Sequence, residues 1–392
     1  MIARIVDLPQ RRSCLLLGPR QTGKTTLVRS LLPSDAWVLD LLHHDTFLRY
    51  AKDPSQFRRE VEAKLRAGTT VVFVDEVQRV PALLDEIHSL IESHGVRFIL
   101  TGSSARKLRR SGTNLLAGRA AIRHLHPLTF REQGSRFNLE RTLRFGSLPA
   151  VVTGDEEEAR DLLQAYGRTY LQQEIQAEAL VRNLGGFGRF LDIAAAQCGE
   201  ILNYSAIGRD AALPTRTVQE YYQILEDTLL GFKLESWRRS PRARLVAHPR
   251  FYLFDTGVTN AVNQRLTASL DPLARGRLFE QWVVLETLRI LDYAHVEARA
   301  FYWRTNQGAE VDMLIERHGR LTLAVEIKAK KRLAGADLTG LRSFADTHPQ
   351  VPRVVVAEVA EEYQVEGCRI LPYSSWLSRL HDGIRSRDFG FG

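Results

Sequence analysis

Short apolar runs that stop abruptly at polar residues alternate with stretches of helical spacing through the first third of the chain. Cys14-Leu15-Leu16-Leu17 suits a buried strand, and Thr26 to Leu32 then places apolar residues at helical intervals. Val71-Val72-Phe73-Val74 is a second such run and ends in two acids, Asp75 and Glu76. Arg97-Phe98-Ile99-Leu100 is a third, closing on Thr101-Gly102-Ser103-Ser104. Uniformly apolar runs of this length predict central strands of a parallel sheet, which deliver their polar ends to one edge. Residues 1–150 are therefore expected to form an α/β module.

The pattern changes after that. Asp155-Glu156-Glu157-Glu158 is an acidic run opening a helix, where the helix dipole favours negative charge. A helical lid is expected from there through about Glu178, within residues 151–182. Phe187 to Cys198 keeps a helical period until Gly199, and Ser205 to Leu213 suits a second short helix. Pro214-Thr215 introduces a longer one, Arg216 to Leu230, with Thr215 as its N-cap. Phe232 to Trp237 and Arg250 to Phe254 flank a turn region at Ser240-Pro241. Three helices and a two-stranded hairpin make a winged-helix arrangement over 183–260. From Gly276 a helix runs through Arg277 to Glu286, and strand patterns follow at 300–304, 310–315 and 321–328. A smaller α/β domain is expected over 261–392.

Chemistry attaches first to the loop after the opening strand. Gly18 to Thr25 reads G-P-R-Q-T-G-K-T and satisfies G-x-x-x-x-G-K-[ST] at every defined position. Its glycines let successive amides point at phosphates, and the following helix adds its positive end. Gly18, Pro19, Arg20, Gln21, Thr22, Gly23, Lys24, Thr25 and Thr26 are the expected ATP-binding residues. Lys24 is placed on the β- and γ-phosphates, and Thr25 with Asp75 on Mg²⁺. Glu76 is the expected base that orients and deprotonates water. A polar side chain at the end of the third run would sit between the carboxylates and report the γ-phosphate; Ser103 is the first choice, Thr101 the second. Arg106, Arg109, Arg110, Arg119 and Arg123 follow. Arg119 is the leading candidate for a finger that completes a neighbouring subunit's site. A surface arginine or a nucleic-acid contact stands as the alternative for each of the five.

These segments together resemble the AAA+ superfamily of ATPases. The resemblance rests on Gly18–Thr25, Phe73-Val74-Asp75-Glu76-Val77-Gln78, Leu100-Thr101-Gly102-Ser103-Ser104, Leu116-Ala117-Gly118-Arg119 and Leu125-His126-Pro127-Leu128-Thr129-Phe130-Arg131-Glu132. The nearest match is the prokaryotic group in which a compact AAA+ module precedes a C-terminal domain of unassigned function. The group usually shows Gly-Gly-x-Pro after the module, whereas Phe145-Gly146-Ser147-Leu148-Pro149 stands here, which leaves the usual lid contact open. No second sensor residue is identified.

At the far end, Asp312 lies in the first strand of an expected hairpin and Glu326-x-Lys328 in the second. Period-two geometry puts Glu326 and Lys328 on one face. With a preceding acidic helix, this set resembles the PD-(D/E)xK restriction-endonuclease-like superfamily. The resemblance implies Mg²⁺ on Asp312 and Glu326, Lys328 as the residue that polarises water, and Glu280 as the helical acid. Lys330, Lys331 and Arg332 would extend the positive edge. A working nuclease and an inert platform both remain open.

Composition adds direction. The 392 residues carry 54 Lys and Arg against 46 Asp and Glu, a formal net charge of +8 that favours an acidic partner such as DNA. Arg216, Gln219, Glu220 and Gln223 on the third helix could face a major groove, and Arg238, Arg239, Arg242 and Arg244 could contact phosphates from the hairpin tip. A spacer or protein-binding role for that domain is the alternative. Three isolated cysteines and eleven histidines show no metal-ligand spacing. Without an apolar run of membrane length or a signal peptide, the chain is expected to be soluble and cytoplasmic. The expected function is an oligomeric, Mg²⁺-dependent ATPase that couples hydrolysis to remodelling or processing of DNA, branched DNA included. The alternatives are a nucleotide switch for a protein partner on an inert nuclease-like platform, and an ATP-gated, metal-dependent DNA nuclease.

Overall fold

A computed structural model describes residues 2–104, 118–167, 183–237 and 248–386. The chain divides into two compact units, residues 1–127 with 225–230, and residues 128–224 with 231–392.

The first unit is built on five parallel strands: β1 (Ser13–Leu17), β2 (Trp37–Asp40), β3 (Val71–Asp75), β4 (Arg97–Gly102) and β5 (Ala120–His124). Their order is β2-β3-β4-β1-β5. β1 and β3 are buried along their whole length, as their uninterrupted apolar sequences require. Helices α1 (Lys24–Leu31), α2 (His44–Lys52), α3 (Pro54–Arg66) and α4 (Leu83–His94) connect the strands. In α4 the buried Leu83, Leu84, Ile87 and Leu90 form one face. They join Leu15, Leu17, Val72, Val74, Phe98 and Leu100 from alternate strand positions, with Phe57 and Val61 of α3. Each such side chain contributes roughly 1.5–3 kcal/mol by leaving water. The opposite strand positions, Cys14, Leu16, Phe73 and Ile99, are also buried, so both faces of the sheet are covered. The strand order has one consequence for chemistry. β4 lies between β1 and β3, with Leu17 opposite Gly102 and Val74 opposite Leu100. The polar end of β4 therefore falls between the loop after β1 and the acids after β3.

The second unit holds an eight-stranded mixed sheet and most of the remaining helices. These are α5 (Phe130–Gln133), α6 (Leu139–Phe145), α7 (Pro149–Thr153), α8 (Glu156–Ala165), α9 (Leu184–Ala196), α10 (Tyr204–Ala211) and α11 (Thr215–Asp227) up to Ile224. Strands β6 (Gly231–Ser236) and β7 (Arg250–Leu253) pair antiparallel, as the sequence predicts for 232–254. The chain continues with α12 (Thr256–Val262), α13 (Pro272–Tyr293), β8 (Ala298–Arg304), β9 (Glu310–Arg317), β10 (Arg320–Lys328), α14 (Thr339–Thr347), β11 (Arg353–Ala357), β12 (Tyr363–Val365), β13 (Cys368–Pro372) and α15 (Tyr373–Ser386). Sheet order is β12-β13-β11-β10-β9-β8-β6-β7.

α9 to α11 hold together through Phe190, whose ring meets Tyr221 at 5.3 Å and Tyr222 at 4.8 Å between centroids. The β6–β7 pair is not freestanding. Glu235 and Ser236 pair in parallel with Phe301 and Tyr302 of β8, which carries the pair into the larger sheet. Periodicity gives no sign of such a distant pairing. α13 is longer than the expected 277–286, because Asp271 caps it by accepting from the Ala274 amide and thirteen of its 22 residues are buried. α8 closes at Ala165, and the rest of the expected lid, residues 168–182, lies outside the described residues.

The segment Phe145–Pro149, where the sequence left a contact open, is fastened inside the second unit. Asp255 is fully buried and accepts from the Ser147 amide at 2.8 Å and its hydroxyl at 3.2 Å. It also caps α12 through the Gly257 and Val258 amides. Arg289 donates to the Ser147 hydroxyl and the Phe254 carbonyl, and Asn260 to the carbonyls of Leu143 and Arg144. Among the described residues, no helix is long and apolar enough to cross a membrane.

Candidate functional site

The loop from Gly18 to Gly23 is shaped by its backbone. Gly18 donates its amide to Gly102 at 3.2 Å. A Cβ there would stand 2.3 Å from the Leu125 carbonyl oxygen, so no other residue fits. Gln21 and Gly23 both take positive φ, 63° and 90°, curling the chain into α1. Thr22 steadies the curl by donating its hydroxyl to the Pro19 carbonyl at 2.9 Å. α1 starts with no side-chain cap and no acid in its first turn. The amides of its first turn point to where an anion would be held. Buried Lys24 holds its ammonium 2.8 Å from the Gly18 carbonyl and 3.0 Å from that of Pro19. The donor set fits the polyphosphate that the sequence implies.

The acids stand opposite. Thr25 donates its hydroxyl to Asp75 at 2.8 Å, and Thr101 donates to the other Asp75 oxygen. Burial pushes the Asp75 carboxyl up, while these two hydroxyls favour its charged form. Glu76 follows in the left-handed region, φ 57°, a conformation costing a non-glycine residue roughly 1–2 kcal/mol. The Glu76 amide donates to the Thr101 hydroxyl at 3.1 Å, which anchors the turn. Gln78 donates its amide nitrogen both to the Glu76 carboxylate and, at 2.9 Å, to the Ser103 hydroxyl. Ser103 itself lies 3.4 Å from Glu76.

The two residues proposed for the gap between the acids thus divide the work. Thr101 binds Asp75 and fixes the turn at Glu76, while Ser103 reaches Glu76 together with Gln78. Gln78 closes the motif Phe73–Gln78 in the sequence, where nothing gave it this role. The pair Thr25–Asp75 offers a divalent ion one carboxylate and one hydroxyl, suited to Mg²⁺ that keeps water and phosphate oxygens as its remaining ligands. Arg119 pairs with Glu92 of α4. Arg123 donates to the Asp7 and Ile122 carbonyls. Arg106, Arg109 and Arg110 lie outside the described residues.

The second unit gathers the other predicted set. Asp312 accepts the Ile327 amide at 2.8 Å, tying β9 to the end of β10. Lys328 holds Glu326 at 2.5 Å. Glu280 of α13 arrives beside them, accepting from Tyr252 at 2.8 Å and from Arg250 at 2.9 Å. Arg250 reaches Glu310 with its other nitrogen and lies 3.7 Å from Asp312. Arg250, Tyr252 and Glu310 were not foreseen. The only signal was a cation opening an otherwise apolar strand, Arg250-Phe251-Tyr252-Leu253.

Burial, with repulsion from Asp312, pushes the Glu280 carboxyl up to about 7 and that of Glu326 up to about 8. Burial alone would push Lys328 down, and Asp312 and Glu326 more than reverse this. Glu326 Oε2 is buried without a hydrogen-bond partner. Among the described residues, no three His, Cys, Asp or Glu side chains are grouped so as to hold a metal ion. With a guanidinium set among these acids, the divalent ion implied by the nuclease resemblance does not fit.

On α11, Arg216, Gln219, Glu220 and Gln223 are exposed while Val218, Tyr221, Tyr222 and Leu225 are buried. Arg216 pairs with Glu220 at 3.3 Å, one helical turn away. Arg238, Arg239, Arg242 and Arg244 lie outside the described residues.

Residues 10–133 match a family described as AAA domain. This part of the chain is similar to AAA domains of ATPases. Residues 136–269 and 275–376 match two domains of unknown function, DUF8612 and DUF4143. An uncharacterized protein of Mycobacterium tuberculosis is 28% identical over 315 residues, covering 78% of this chain and 68% of its own. An uncharacterized protein of Haemophilus influenzae is 22% identical over 392 residues, covering 93% of each chain. Among solved structures, a half-complex from a tetradecameric assembly of Thermococcus gammatolerans McrB AAA+ hexamers with bound McrC matches 68% of this chain and 78% of that one. Its identity is 10% and its TM-score 0.25, a similarity too low to carry an argument.

Proposed function

We propose that the chain is a Mg²⁺-dependent ATPase that couples hydrolysis to engagement of DNA, working as an oligomer. One observation carries the hydrolytic reading. Glu76 is turned out of β3 and held by Gln78 and Ser103, while Asp75 is held by Thr25 and Thr101. A loop that only sensed nucleotide would have no need of the second, separately positioned acid. In this reading the amides at the start of α1 and Lys24 bind the phosphates. Thr25 and Asp75 would hold Mg²⁺, which when bound would supply positive charge to the phosphate oxygens. Glu76 orients water and takes its proton, and Ser103 with Gln78 keeps the carboxylate aimed. Arg119 supplies positive charge to a neighbouring subunit's site on assembly, exchanging its Glu92 partner for phosphate.

The DNA half of the proposal rests on the net charge of +8 and on the exposed polar face of α11. A second reading is a nucleotide switch for a protein partner on an inert platform, and it draws on Arg250 among the acids of the second unit. ATP turnover of the full chain with Mg²⁺ across linear, branched and single-stranded DNA separates the two. Stimulation that falls with rising salt supports the first reading. Turnover indifferent to every DNA favours the switch, and no turnover at all would sink the hydrolytic reading.

A further inference from the structure

The acidic cluster of the second unit contains a cation of its own, and the geometry around it is convergent. Arg250 stands at the head of β7 with its side chain 8% exposed. One guanidinium nitrogen lies 2.9 Å from Glu280 on α13 and 3.7 Å from Asp312 on β9. The other pairs with Glu310, also on β9. The Arg250 carbon sits 5.2 Å from the centroid of the Tyr302 ring of β8, a cation–π contact that holds the guanidinium plane in place. Tyr252 adds a hydrogen bond to the same Glu280 oxygen that Arg250 uses. Glu326, the remaining acid, is engaged by Lys328.

A divalent ion needs several oxygens within about 2.0–2.6 Å, drawn together around one point. Here that point is contested by a fixed positive charge, and two of the acids already spend an oxygen on it. Removing a guanidinium from such a place is costly, because buried Asp312 and partly buried Glu280 would lose their nearest cation, although Glu280 keeps Tyr252 and Glu310 keeps Arg304. Exchange for a hydrated metal is opposed by that cost and by repulsion between the two cations.

We propose that Arg250 is a resident counter-cation that fills the position a divalent metal takes in metal-dependent nucleases, closing this cluster to metal and to metal-assisted phosphodiester cleavage. The nuclease-like unit is then a charge-balanced platform whose acids fasten α13, β7 and β9 to one another. The inference is independent of the ATPase reading, since none of its residues belongs to the nucleotide site.

Mn²⁺ titration of the full chain without nucleotide, followed by electron paramagnetic resonance, tests it, with Asp312→Asn as the reference for this cluster. The wild-type chain should show no Mn²⁺ site up to about 1 mM that Asp312→Asn removes. Arg250→Met should gain one, at least about tenfold tighter. If Arg250→Met fails to fold, Arg250→Met/Glu310→Gln removes one charge of each sign, keeps Glu280, Asp312 and Glu326, and should gain the same site. An Asp312-dependent Mn²⁺ site in the wild type overturns the proposal. So does a folded Met variant, single or double, that gains none.

Discussion

Both units gather carboxylates beside their strands, and they surround them with different kinds of neighbour. Around Asp75 and Glu76 the partners are neutral: the hydroxyls of Thr25, Thr101 and Ser103 and the amide of Gln78. Around Glu280, Glu310, Asp312 and Glu326 the partners include the cations Arg250 and Lys328, with Arg304 on Glu310, beside the Tyr252 hydroxyl and the Ile327 amide. Neutral donors orient a carboxylate without spending its charge, so a metal or a reacting water can still use it. Cationic partners spend it in advance. Two acid sets that look equally catalytic as sequence therefore differ in what they can do, and the difference lies in residues outside either motif.

The largest effect is expected where the neutral setting matters most. Glu76→Gln keeps the shape and the Gln78 contact but removes the base. ATP turnover should fall about 10²- to 10⁴-fold while binding of a fluorescent ATP analogue stays within a few-fold. Turnover within tenfold of wild type would show that another group takes the proton. On the cationic side the equivalent cut acts on stability. Arg250→Met takes the cation from between Glu280, Glu310 and buried Asp312, leaving Glu280 with Tyr252 and Glu310 with Arg304, and should cost up to about 3–5 kcal/mol in urea unfolding. Adding Glu310→Gln should restore part of that loss. A loss below 1 kcal/mol in the single variant would mean that the cluster does not depend on its arginine, within the roughly 0.5 kcal/mol scatter of surface changes.

A smaller effect tests whether orientation by neutral donors is real. Gln78→Ala removes one hydrogen bond to the Glu76 carboxylate, a contact of about 1.5–3 kcal/mol for a charged acceptor. The expected drop in kcat is roughly 10- to 100-fold with little change in KM. If KM rises and kcat holds, Gln78 serves nucleotide binding instead.

The arrangement of the loop and the acid pair was legible because it is local. The loop, the following helix and the acid pair each lie within a few residues, and Gly18 and Lys24 have roles fixed by backbone shape. The neutral clamp was half legible, since Thr101 and Ser103 end a recognisable strand while Gln78 lies in a turn beyond one. The cationic cluster was legible only in its acids. Arg250 meets Glu280 and Glu310 through a sheet that joins β6 to β8, a long-range pairing that leaves no periodic trace. For the same reason the sequence showed three helices and a strand pair but not the sheet that absorbs the pair.

Glu286 offers an intermediate case, one buried acid with one cation and one neutral donor. It is fully buried, pairs with Arg289 at 3.1 Å and accepts the Phe130 amide at 2.8 Å. Burial nevertheless pushes its carboxyl from 4.5 up to about 7, against both partners. The folded state thus holds a proton that the unfolded state releases between those two values. Stability from this group is fully present below about 4.5 and lost as pH rises through about 7, with a slope of at most about 1.4 kcal/mol per pH unit. Glu286→Gln cannot titrate and keeps an oxygen for the Phe130 amide. Its stability against urea should fall less steeply than wild type between pH 5 and 8, since other buried acids act alike in both chains. Parallel curves would mean that Arg289 keeps Glu286 ionised throughout. A single cation would then be enough to spend a buried carboxylate's charge, and the two cations of the Asp312 cluster more than enough.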